Sequence, residues 1–106
     1  MDTGEGFNSP AGESVVGHAL IDEQHWRAVA NRLHLCSREL QIVQLVFDDK
    51  KEGAIANTLG ISPHTVNSYL QRLYHKIQVR SRPQLILRVM AAYLAPAAAG
   101  ANDQLG

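Results

Sequence analysis

The stretch Leu59-Gly60-Ile61-Ser62-Pro63 places a helix stop and a helix start three residues apart, and nothing else in the chain constrains the fold as strongly. A glycine just past a helix takes the left-handed turn without a Cβ penalty. A serine followed by proline is a start signal, since the hydroxyl caps and the missing proline N–H would be unpaired in the first turn anyway. Apolar residues on both sides recur at helical spacing. Ile55, Ala56 and Leu59 precede the turn, and Val66, Leu70, Leu73 and Ile77 follow it in one stripe flanked by Tyr69 and Tyr74. The spacing predicts helices over about 50–59 and 63–77, the first opened by an Asp49-x-x-Glu52 capping box. Two short helices joined by a tight Gly-containing turn form a helix-turn-helix unit. Turn and stripe alone suit an ordinary αα-hairpin equally well.

The rest of the interior is also helical in pattern, with no β alternation and no internal repeat. A helix is predicted over about 23–33, with Asp22 as N-cap and Ile21 and Trp26 spaced as a hydrophobic staple. Another is predicted over 38–47, capped by Ser37 or Cys36, and a last one over 83–94 behind a Ser81-x-x-Gln84 capping box. The fold class expected is all-α, a small helical bundle with one extra N-terminal helix. Residues 1–20 and 95–106 are rich in Gly, Ala, Pro and polar side chains and are expected as flexible tails, leaving 21–34 for the extra helix and 35–94 for the helix-turn-helix domain.

Formal net charge is zero over 106 residues, but the signs are segregated. Nine of the ten acids lie in residues 1–52, and between Gly53 and Asn102 there is none, while Arg72, Lys76, Arg80, Arg82 and Arg88 all fall there. The second half is a basic module, which suits an anionic partner. The single cysteine, Cys36, excludes an internal disulfide framework and fits a reducing compartment. The N-terminus lacks the basic start of a signal peptide, and the longest apolar stretch, 85–95, is broken by Arg88 and too short to cross a bilayer. No membrane partner is expected, and the location expected is the cytoplasm.

With residues placed about 100° apart around the 63–77 helix, the side opposite the stripe shows His64, Asn67, Ser68, Gln71, Arg72 and His75, with Thr65 and Lys76 at one edge. That face carries no acid, whereas an ordinary solvated face mixes both signs. Asn and Gln match the paired donor and acceptor of adenine in the major groove. Arg and Lys neutralise phosphates, and a threonine hydroxyl donates to one. His64, Asn67, Ser68 and Gln71 are therefore expected to contact bases, and Thr65, Arg72 and Lys76 to contact phosphates. Ser62, Lys50, Lys51 and Arg80 are further phosphate candidates, from the helix cap and the flanking loops.

At this point the run Ile55-Ala56-x-x-Leu59-Gly60-Ile61-Ser62-x-x-Thr65-Val66, then Leu73-Tyr74-x-Lys76-Ile77 and Ser81-Arg82, resembles the LuxR/FixJ/NarL type of helix-turn-helix domain over about residues 35–94. The resemblance implies a four-helix DNA-binding domain with the 63–77 helix in the groove of double-stranded DNA, and dimerisation through the last helix. The residues agree on the second point, because 85–94 is apolar nearly all round and needs more than one face buried. A partner's last helix, through Leu87, Met90, Ala91 and Leu94, is favoured over the alternative that the 23–33 helix folds back there. The roughly 34 residues ahead of the domain are too few for a receiver or ligand-binding domain, so constitutive action, or control by abundance or by a partner, is expected.

No enzyme or cofactor motif is present: the five histidines are scattered, Cys36 has no CxxC partner, and there is no P-loop or GxGxxG. Two rival readings stay open. One is a polymerase-associated factor resembling the promoter-reading end of a sigma factor, with RNA polymerase or another regulator as partner. The other is a helix-turn-helix converted to protein interaction, which the acidic first half and Gly53-Ala54 support.

Overall fold

A computed structural model describes residues 16–96. A 3-10 turn, Gly17–Leu20, leads into five helices: α1 Glu23–Leu33, α2 Ser37–Phe47, α3 Glu52–Leu59, α4 Pro63–Ile77 and α5 Arg82–Leu94. No strand occurs among the described residues. The core is one cluster drawn from every helix: Trp26 and Val29 of α1, Ile42, Val43 and Val46 of α2, Ile55 of α3, Val66, Leu70, Leu73 and Ile77 of α4, and Leu85 and Val89 of α5. The predicted stripe of α4 is the buried stripe.

The helix starts obey local chemistry. The Asp22 carboxylate accepts from the His25 backbone N–H at 2.8 Å, and the Ser62 hydroxyl from that of Thr65 at 3.1 Å. Of the two candidates for the α2 cap, Cys36 takes the position, and Glu39 accepts its backbone N–H at 2.9 Å. Two expectations are corrected. The Asp49–Glu52 box does not form: α3 starts at Glu52 with Lys51 as N-cap, and Asp49 sits at φ +60. The chain needs a left-handed residue there to leave α2, and Asp pays a smaller penalty for it than most residues. At α5 the Ser81 hydroxyl accepts from Gln84 N–H as expected, but the Gln84 amide oxygen returns to Arg80 N–H rather than to Ser81.

The N-terminal boundary also moves. Residues 1–15 and 97–106 of the expected tails lie outside the described residues, but 17–20, expected within the first tail, form a docked turn. Gly17 is buried against the end of α2, where a Cβ would overlap the backbone carbonyl of Phe47. The His18 backbone N–H donates to Asp48 at 3.0 Å, and its ring Nδ1 lies 2.8 Å from the same buried carboxylate. Trp26 donates its indole N–H to the His18 carbonyl at 2.8 Å and meets Phe47 edge to face. Helix α1 then lies along α5, with Arg32 donating to the Ala92 carbonyl at 2.6 Å and His25 against Tyr93. The extra helix does fold back on the last one.

Candidate nucleic-acid interface

Helix α4 is built to be presented. Its rear is fully apolar and buried, its start is closed by Ser62 and Pro63, and its end turns out through Gln78 at φ +61. Fifteen residues span about 22 Å at 1.5 Å per residue, and a helix with side chains, 10–12 Å across, fills the roughly 12 Å major groove. Helix α3 packs against α4 through the turn at Gly60, whose φ of +70 explains why glycine stands there.

The outward face holds the expected readers. His64, Asn67 and Gln71 are exposed and Ser68 is half-buried, and none of them makes a side-chain hydrogen bond within the described residues. No acid occurs anywhere in α4, so nothing on the helix repels a phosphate. Thr65 is half-buried, its hydroxyl 2.9 Å from that of Ser62, so the two form a hydroxyl pair at the positive end of the helix dipole. Arg72 is exposed, with its guanidinium carbon 4.9 Å from the centre of the Tyr69 ring.

The other cations divide. Lys76, expected at phosphate, makes an internal tie in the free chain: its ammonium donates to Glu39 at 2.7 Å and to the His34 carbonyl at 2.9 Å. Burial alone would raise the Glu39 pKa, but the Lys76 ammonium and the Cys36 N–H together outweigh it and hold the carboxyl below its ordinary value. The tie fastens the C-terminal half of α4 to the start of α2 and the end of α1. Lys51 is exposed at the cap of α3, and Lys50 is half-buried beside it. Arg82, absent from the expected contacts, donates to the Lys50 carbonyl at 2.6 Å and so pins the turn before α3 to α5. Burial raises the Tyr74 hydroxyl pKa, with the neighbouring Arg82 charge opposing. Arg80 is exposed in the loop after α4, nine positions beyond Gln71.

Along α5, Leu87 and Leu94 are each 68% exposed, and Ala91 is exposed between them. The spacings of four and three make one apolar stripe. Met90, expected in the same interface, is instead half-buried against the core. The two buried carboxylates, Glu39 and Asp48, were illegible in the residue pattern because their partners Lys76 and His18 lie 37 and 30 residues away.

The packed α3–turn–α4 unit, with a capped, acid-free outer helix on an all-helical core, defines the class: a helix-turn-helix domain. The model of bacterial regulatory proteins of the luxR family matches residues 33–89, more than half of the chain, and the chain belongs to that family. It is 37% identical over 51 residues to the response regulator UvrY of Escherichia coli strain K12, covering 48% of this chain and 23% of that protein. It is 35% identical over 63 residues to the transcriptional regulatory protein FixJ of Azorhizobium caulinodans, covering 59% and 30%. It is 36% identical over 53 residues to the response regulator GacA of Pseudomonas aeruginosa, covering 50% and 25%. The chain thus spans less than a third of the length of these relatives. No solved structure matches it significantly. Among the described residues no helix is long and apolar enough to cross a membrane, and no group of His, Cys, Asp and Glu side chains is placed to hold a metal ion.

Proposed function

We propose that this chain is a transcription regulator that binds double-stranded DNA sequence-specifically, with α4 in the major groove. The observation that carries the reading is the outer face of α4, where amide, hydroxyl and guanidinium groups stand free of acids on a helix fixed by its buried rear and two anchored ends. Asn67 and Gln71 are the leading base readers, with His64 and Ser68 beside them, because the N-terminal half of such a helix meets base edges. Ser62, Thr65, Arg72, Lys51, Lys50 and Arg80 supply the phosphate contacts that fix register. Family membership and the regulators UvrY, FixJ and GacA support the same reading.

The chain acts as a homodimer through the Leu87–Ala91–Leu94 stripe, reading half-sites about one DNA turn apart. It works in the cytoplasm, where the bacterial chromosome lies, as a binder rather than a catalyst. Selection of bound duplexes from a random pool tests this. A recurring, roughly two-fold symmetric site is the expected result. A pool that remains random after selection contradicts sequence-specific reading.

A further inference from the structure

Three of the arginines and lysines are tied internally: Lys76 by Glu39 and His34, Arg82 by Lys50, and, away from α4, Arg32 by Ala92. Arg72 is held differently. Its guanidinium lies over the Tyr69 ring, and no carboxylate among the described residues is within ion-pair distance of it. Tyr69 is half-buried and packed against the core cluster, which restricts its ring and makes it a platform rather than a mobile partner. The contact draws on the charge of the guanidinium, and among the described residues its five N–H donors make no hydrogen bond. An unsupported arginine loses rotamer entropy when it docks, and a pre-stacked one has already lost part of it.

We infer that Tyr69 is a positioning residue for DNA binding, holding Arg72 with its donor edge turned outward at the border of the reading face to grip a backbone phosphate. This rests on the DNA-binding reading above. The ring acts through its face, so its hydroxyl is dispensable. Tyr69 touches no nucleotide in this role, and its whole effect passes through Arg72.

The test is a double-mutant cycle on a duplex selected by the unmodified chain, with affinity measured across a salt series and thermal melting of each variant as a folding control. Tyr69→Leu should weaken binding roughly two- to fivefold, the worth of an exposed cation–π contact. Tyr69→Phe should bind like the parent. With Arg72→Ala already in place, Tyr69→Leu should cost nothing more. In the free chain, NMR should show the Arg72 δ-methylene protons moved upfield by the ring, and Tyr69→Leu should return them. An equal loss from Tyr69→Leu with or without Arg72, or no loss in either background, overturns the inference. So does a Tyr69→Phe variant as weak as Tyr69→Leu, since the hydroxyl would then be the contact. If the parent chain binds no duplex even in dilute salt, the DNA reading itself falls, whereas an intact parent with an indifferent Tyr69→Leu sinks only the positioning role.

Discussion

Charge on α4 is sorted by what each cation touches. Lys76 and Arg72 stand four residues apart on the polar side of α4, and the sequence offers both to phosphate. Lys76 reaches back to a buried carboxylate, whereas Arg72 stacks in place and keeps its donors free. The difference was illegible in the sequence because it depends on Glu39, 37 residues earlier, being brought beneath α4. Lys76→Met should therefore act on stability: it leaves a buried carboxylate short of a partner and should cost about 1–2 kcal/mol, the low end because the ammonium is partly in water. Thermal melting checks this, and an unchanged melting temperature would contradict it. Glu39 has its pKa held below the unfolded value of 4.5, so its contribution is complete above that pH and is lost as pH falls through the lower folded value. Glu39→Gln should flatten the acid limb of the stability profile below pH 4.5. The outer face of α4 was legible, since a polar, acid-free face opposite an apolar stripe needs no tertiary information. Asn67→Ala or Gln71→Ala should weaken the preferred site by about 1–3 kcal/mol and relax base choice there. Uniform weakening of every duplex in a competition assay would remove them from base contact.

At the scale of elements, helix ends were readable where one residue decides them. Ser62, Pro63 and Gly60 act through their own hydroxyl, ring or missing Cβ, and α3 ends and α4 begins where they imply. Ends set by tertiary demand were not: His34, Asp49 and Gln78 take left-handed conformations that their types allow without announcing. The arm formed by the 3-10 turn and α1 shows the same limit. Gly17 looks like one more glycine in a Gly-rich leader, yet it is the point where the leader's backbone meets that of α2. Gly17→Ala should lift the turn off α2, loosening His18 from Asp48 and the Trp26 indole from its carbonyl partner. The expected cost is about 1–3 kcal/mol, the range for forcing atoms into a packed site. The melting temperature and the Trp26 emission wavelength should both move, and a variant that matches the parent in both would show the arm to be dispensable.

The whole molecule is a helix-turn-helix core completed by that arm. The family match begins at residue 33, but Ile21, Trp26 and Val29 are buried in the same cluster as α4 and α5. The arm takes one flank of α5, which leaves only Leu87, Ala91 and Leu94 of the apolar excess facing water. In the homodimer proposed above, this narrow stripe meets the same stripe of a second copy about a two-fold axis. Leu87→Glu changes an exposed side chain, so the fold should survive while sedimentation shows monomers and binding to a two-half-site duplex weakens. A variant that still sediments as a dimer would place the interface elsewhere. The central claim is that the acid-free face of α4 meets a polyanion. A titration of the chain with its selected duplex across a salt series tests it most directly. Affinity should fall linearly on logarithmic axes, with a slope of about −0.9 for each phosphate neutralised, and Arg72→Ala should make that slope shallower. Binding that is weak at every salt concentration, or that ignores salt altogether, would contradict it.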